Sequence, residues 1–216
     1  MPEDTGHRGQ RTDAERLTPR ATAAEPVRER PVNSWNVPNA LTAVRILLVP
    51  LFGWMLLAHP DEAGWQLATT GVFVVAILTD TLDGYLARKH NLVTRFGKLA
   101  DPIADKALTG MAFVGLSIIG ELSWWVTITI LIRELGITVM RFFVLRYGVM
   151  AAGRGGKIKT VLQSAAVGLY LLPLPPSAHV VEVVVMTAAL VVTVLSGLDY
   201  VRDAVRMRRA ALAGQR

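Results

Sequence analysis

The 216-residue chain contains no cysteine. That removes disulfides, thiolate nucleophiles and cysteine-ligated metals, and leaves oxygen atoms or histidine to bind any metal ion. No basic run is interleaved with aromatic residues, so the formal net charge of +6 does not read as a nucleic-acid surface. The arginines stand beside apolar segments, where membrane phosphate is the fitting partner. Residues 1–34 lack both aromatic residues and an apolar stretch, and carry six basic and six acidic side chains. This composition predicts a disordered polar tail and excludes a secretory signal peptide.

The rest of the chain is aliphatic. Hydrophobic residues make up 52% of the sequence and the mean hydropathy is +0.40, well above an ordinary soluble domain of this length. Six apolar stretches, roughly 39–59, 64–87, 97–119, 123–146, 158–176 and 179–201, each approach the ~20 residues that cross a bilayer. The expected fold is an all-α integral membrane protein with six transmembrane helices in a catalytic domain over 35–205. A basic C-terminal tail, 206–216, follows it. Pro173, Pro175 and Pro176 interrupt the fifth stretch, and charged "GKLADPIADK" opens the third.

Lys and Arg are missing from alternate connections. The segments holding Asp61 and Glu62, then Glu121, then "PLPPSA" have neither. The others carry Arg88, Lys89, Arg95 and Lys98, then Arg146, Arg154, Lys157 and Lys159, then the arginines of the C-terminus. This split puts the basic connections and both termini in the cytoplasm. "VRDAVRMRRA" reads as a basic helix leaving the last span to lie on anionic headgroups, or as a plain stop-transfer anchor. The glycine run 153–156 reads as a loop.

Within this aliphatic background "LTDTLDGYLARKHNLVTRFGKLADPIADK", residues 78–106, holds four aspartates. Asp80, Asp83, Gly84 and Ala87 share one face of a helix, and Gly97, Asp101 and Asp105 repeat at four-residue steps on the next. Two antiparallel helices joined by a short loop can therefore point all four carboxylates at one another, at the cytoplasmic end of the bundle. So many like charges in a low dielectric require a cation. Mg²⁺ or Mn²⁺ prefers carboxylate oxygens, and two such ions can be bridged by three or four aspartates. Gly84 and Ala87 leave a groove where a ligand can approach the backbone, with Arg88 in reach of its phosphates. Small residues at this spacing also serve plain helix packing.

Written as D-x2-D-G-x2-A-R-x8-G-x3-D-x3-D, residues 80–105 resemble, without a gap, the signature of the CDP-alcohol phosphatidyltransferases, integral membrane enzymes that build phospholipid headgroups. "NVPNALTAVRILLVP" at 36–50 looks like that family's first-helix opening. "IRELGITVMRFF" and "GKIKT" look like its bacterial branch that uses glycerol 3-phosphate. The resemblance covers about 35–200. It implies attack of an acceptor hydroxyl on the lipid-bearing phosphorus of CDP-diacylglycerol, with CMP as leaving group, in the bacterial cell membrane, by a homodimer with its active site facing the cytoplasm.

By the family pattern Asp80, Asp83 and Asp101 hold metal, and Asp105 acts as general base and touches a metal too. Gly84, Ala87 and Arg88 line the nucleotide and pyrophosphate pocket. Asn39, Thr42 and Arg45 add polar contacts to it, with snorkelling to the interface as the other reading of Arg45.

Charges inside the fourth stretch need a reason. Arg133 and Arg141 are offset by roughly 80° on a helix and can border one cavity; with Lys157 and Lys159 they form an expected pocket for an acceptor phosphate. The competing reading pairs Arg133 with an acid and makes Arg141 a cytoplasmic flank. Sister enzymes sharing the site, a cardiolipin synthase or an inositol-phosphate-using synthase, stay open. A divalent-cation channel or transporter fits less well, because its ionisable groups belong near mid-membrane, often with inverted repeats.

Overall fold

In the structure, a computed structural model, residues 37–89, 95–144 and 154–213 are described; expectations for 1–36, 90–94, 145–153 and 214–216 lie outside them. The described residues form helices α1 (Val37–Ala58), α2 (Ala63–Lys89), α3 (Arg95–Ile118), α4 (Trp124–Val144), α5 (Arg154–Leu171) and α6 (His179–Ala213), with a 3₁₀ turn at Pro176–Ala178. No strand occurs among them. The pairs Arg45–Asp80, Ser117–Thr127, Glu134–Lys159 and Gln163–Thr193 fit antiparallel α1–α2, α3–α4, α4–α5 and α5–α6.

Local chemistry sets the boundaries. α1 stops before Pro60, and the next helix opens with Gln66 N–H on the Glu62 carbonyl at 2.9 Å and the Gln66 side chain on the Pro60 carbonyl at 2.7 Å. The α3–α4 turn uses Gly120 at φ +86°, a left-handed conformation that glycine adopts without a Cβ penalty. α5 ends at Leu171, short of the expected 176, because Pro173, Pro175 and Pro176 lack the N–H groups a helix needs. It starts at Arg154, so Gly155 and Gly156, expected in a loop, are helical; the first turn has no intrahelical N–H bonds to lose. α6 is continuous to Ala213. "VRDAVRMRRA" therefore prolongs the last helix rather than leaving it, since neither glycine nor proline interrupts 198–212.

The core is made by Phe52, Phe113, Leu116, Ile130 and Val167, all fully buried. Phe52 packs on Phe73 at 5.6 Å between ring centroids. α1 lies against both α2 and α3, which touch each other far less. The close approach of α1 to α3 depends on glycine: a Cβ at Gly53 would stand 2.8 Å from Met111 Sδ, and one at Gly115 would overlap Leu56 Cδ2.

The outer face inverts the soluble pattern. Leu47 is 71% exposed and Val180 69%, with Ile132, Val161 and Leu78 close behind, a surface suited to hydrocarbon. Trp54, Trp65, Trp124 and Trp125 gather at the end where α1 leaves off and α2 and α4 begin, matching an interfacial aromatic belt. α1, α2 and α6 are long and apolar enough to cross a membrane by length and composition.

Candidate active site

Three of the four aspartates are bonded around one turn of α1, and the fourth, Asp105, shares a cavity wall with Arg45. Thr42 and Arg45, three residues apart, share a helix face that enters between α2 and α3. Arg45 Nη1 donates to Asp80 Oδ1 at 2.5 Å, and Nη2 donates to Asp83 Oδ2. Thr42 Oγ1 lies 2.7 Å from Asp101 Oδ1 and 3.3 Å from Asp83 Oδ2; with one proton to give, it serves the nearer. Asp105 joins Arg45 and Asp80 in the wall of a cavity of about 170 Å³. The carboxylates thus converge across α1 instead of directly between α2 and α3. Helix faces alone do not reveal which third element fills the groove.

Burial grades the group. Arg45 is completely buried and Asp83 is 3% exposed, whereas the Asp80 side chain keeps 45% of its surface open. A buried guanidinium between two carboxylates is held by charge-assisted bonds, so Arg45 does not snorkel. Its Nε is the one buried side-chain polar atom without a hydrogen-bond partner among the described residues. The rest of the cavity wall mixes Thr81, Thr109, Thr160, Gln163 and Ser164 with Phe73, Ile77, Leu108, Val161 and Val167.

Asn39 is buried on the first turn of α1, and Gly84 is half-buried beside Asp83. Ala87 and Arg88 fall within α2, Arg141 within α4 and Lys157 within α5, but their side chains lie outside the described residues.

As a metal site, the donors have the right chemistry, all hard oxygens. Asp101 accepts the Thr42 hydroxyl, and Asp83 lies 3.3 Å from the same oxygen. The arrangement is not yet a coordination shell: among the described residues no three acid or histidine side chains are grouped to hold an ion. Arg45 takes the oxygens of Asp80 and Asp83 that an ion would need.

The expected acceptor pocket is arranged differently. Arg133 donates from Nε to the Thr193 carbonyl at 3.0 Å, from Nη2 to Ser196 Oγ at 2.8 Å and from Nη1 to Glu134 Oε1 at 3.1 Å. It lies over Gly197, where a Cβ would stand 3.1 Å from its Cγ. Lys159 pairs with the same Glu134 oxygen, and Lys106 Nζ stands 3.8 Å from Oε2. Neither Arg133 nor Lys159 lines the Arg45 cavity. Arg133 is therefore anchored to α6 and an acid, as in the competing reading, because a buried cation needs a counter-charge. Arg133, Lys159 and Lys106 surround Glu134, and Lys106 and Lys159 also act on Asp105.

Sequence reasoning missed Glu134 as the hub, and Lys106 and Gln163 altogether. The available signal was the rule that each charge in a span requires a partner.

A family model described as CDP-alcohol phosphatidyltransferase matches residues 35–195. A probable phosphatidylglycerophosphate synthase of Mycobacterium tuberculosis is 48% identical over 174 residues, 79% of this chain and 82% of that protein. A CDP-diacylglycerol–glycerol-3-phosphate 3-phosphatidyltransferase of Bacillus subtilis is 38% identical over 180 residues, 77% of this chain and 93% of the relative. One of the same description from Shigella flexneri is 35% identical over 176 residues, covering 79% and 95%.

Proposed function

The chain belongs to the CDP-alcohol phosphatidyltransferase family, and from that premise we propose that it transfers the phosphatidyl group of CDP-diacylglycerol to glycerol 3-phosphate, giving phosphatidylglycerophosphate and CMP. It is an enzyme of this class, a membrane protein of phospholipid biosynthesis. The observation that carries the reading is the meeting of the signature carboxylates around Thr42 and Arg45. The names of the relatives favour glycerol 3-phosphate as acceptor.

The chain's own groups divide the work. Asp105, in the cavity wall, accepts the proton of the acceptor hydroxyl as that oxygen attacks the lipid-bearing phosphorus and CMP departs. Asp80, Asp83 and Asp101, with Asp105 close by, would hold Mg²⁺ or Mn²⁺, two ions per site. Such ions, when bound, neutralise charge on the pyrophosphate and the leaving group. Gly84, Ala87 and Arg88, with Asn39 and Thr42, form the nucleotide side. Arg133 and Lys159, with Arg141 and Lys157, draw the acceptor phosphate.

Six spans with both termini in the cytoplasm put this site at the inner water–lipid boundary. A CDP headgroup stays hydrated there while its acyl chains remain in hydrocarbon. The assembly is a homodimer in the bacterial cell membrane.

The test is incubation of purified protein with CDP-diacylglycerol and a panel of labelled alcohols, with and without chelator. CMP release dependent on glycerol 3-phosphate and abolished by chelation is expected. Turnover only with phosphatidylglycerol or inositol phosphate would transfer the site to a sister activity.

A further inference from the structure

A cavity of about 430 Å³ lies at the end of the bundle opposite the aspartates, within the usual size of a small-molecule site. It shares no lining residue with the Arg45 cavity. We propose that it binds a primary ammonium group, carried by a lipid headgroup or by a free amine.

The lining sets the sign of the ligand. Glu121 comes from the α3–α4 turn, where Gly120 at φ +86° reverses the chain. Glu182 comes from the first turn of α6, and Tyr170 from the last turn of α5. Both carboxylates act on the Tyr170 hydroxyl, so the three border one space. Among the described residues no Lys or Arg lines the cavity. Its two histidines already have carboxylate partners, His59 with Glu62 and His179 with Glu182, each at 3.1 Å. Two carboxylates and an aromatic ring without a basic neighbour favour a cation. The helix dipole accounts for an acid in the first turn of α6, but for neither Glu121 nor the cavity itself.

Thr69 narrows the class. It is 2% exposed and lines the same cavity, yet among the described residues nothing hydrogen-bonds its hydroxyl. A buried hydroxyl without a partner is costly, and a ligand donor would satisfy it. A primary ammonium has three donors and no acceptor, which matches Glu121, Glu182 and Thr69; a quaternary ammonium has no donor to offer. A bare metal ion fits less well, since among the described residues no three acid or histidine side chains are grouped to hold one. Leu56 and Leu171, 5% and 3% exposed, add an apolar wall for the carbon that bears the nitrogen. Trp65 stacks on His59 at 4.3 Å, which sets the cavity at the level of the aromatic belt, where lipid headgroups and soluble amines both arrive.

Native mass spectrometry of the full-length protein in detergent tests the lipid source, with equimolar phosphatidylethanolamine, phosphatidylcholine and phosphatidylglycerol of the same acyl chains. Isothermal titration with ethanolamine, and with choline as the quaternary control, tests the free amine. At least one primary amine should bind several-fold better than its quaternary counterpart. Glu121→Gln combined with Glu182→Gln should weaken that binding about ten-fold or more, as loss of a charge-assisted bond implies. Thr69→Val, close in shape, should weaken it as well and supplies the comparison if the double variant fails to fold. Ethanolamine binding without a lipid preference assigns the site to soluble amines; a lipid preference without ethanolamine binding assigns it to the headgroup. The proposal is overturned if neither amine source binds, if the quaternary probes bind equally well, or if binding survives unchanged in the folded variants.

Discussion

At the residue scale the site is a set of charges that constrain one another. Asp105 and Asp80 line one cavity with Arg45, yet only Asp80 is paired by it. This predicts different phenotypes for two isosteric changes. Asp105→Asn should lower kcat by roughly two to four decades, the range for loss of a positioned general base, with KM for CDP-diacylglycerol little changed. Asp80→Asn should weaken Mn²⁺ binding and turnover together. Equal loss of Mn²⁺ affinity in both would make Asp105 a ligand first and a base second. Glu134 is the other critical residue, with Lys159, Arg133 and Lys106 around it. Glu134→Gln leaves two mostly buried cations without their counter-charge, a loss of about 3–5 kcal/mol when a buried pair is broken. Tryptophan-monitored thermal unfolding in detergent should show a clear drop in midpoint. An unaltered midpoint would mean that water already solvates this cluster.

At the element scale the position of α1 decides the site. Thr42 reaches Asp101 because α1 lies close against α3, while Arg45 reaches Asp80 and Asp83 across the contact of α1 with α2; along the α1–α3 contact a Cβ at Gly115 would overlap Leu56. Leu56 is 5% exposed and belongs to the core, so it has little room to retreat. Gly115→Ala should cost about 1–3 kcal/mol, as overpacking a filled core does. Adding Leu56→Ala should recover part of that loss, which a double-mutant cycle on thermal stability would detect. Additive losses would show that the helices separate freely at this point. α6 makes a second element-level argument. At 35 residues it is about 52 Å long by helix geometry, more than the roughly 30 Å of bilayer hydrocarbon. As a span, it carries Arg202, Arg206, Arg208 and Arg209 beyond the acyl region to the headgroup phosphates.

At the scale of the whole molecule the bundle is polarised. One end holds the aspartates, Arg45 and the arginine-rich part of α6; the other holds Trp54, Trp65, Trp124 and Trp125. In the proposed orientation the first end is cytoplasmic. The lack of native cysteine makes this directly testable, since a single introduced cysteine is the sole thiol. Cysteines at Glu62 and Glu121 should react with an impermeant maleimide on intact cells, and those at Asn91 and Arg154 only after permeabilisation. External labelling at Asn91 would invert the bundle and move the site to the wrong face for CDP-diacylglycerol.

Helix existence and approximate extent were legible in the sequence because hydrocarbon length and apolar runs are local properties, and all six expected stretches correspond to helices. The grouping of the aspartates was legible for the same reason. Four aspartates at helical spacing select their own face, and the fixed-spacing motif points to one family. Charge partnership was not legible. Arg45 looked equally able to line a pocket or reach the interface, and its burial between Asp80 and Asp83 depends on how α1 packs between two helices that follow it. For Arg133 the sequence left open a phosphate or an acidic partner, and its bonds to Glu134, Thr193 and Ser196 depend on how α4 and α6 pack. Spacing along one helix fixes which side chains share a face; which opposite charge arrives at that face is a matter of packing between helices, and only the tertiary structure decides it.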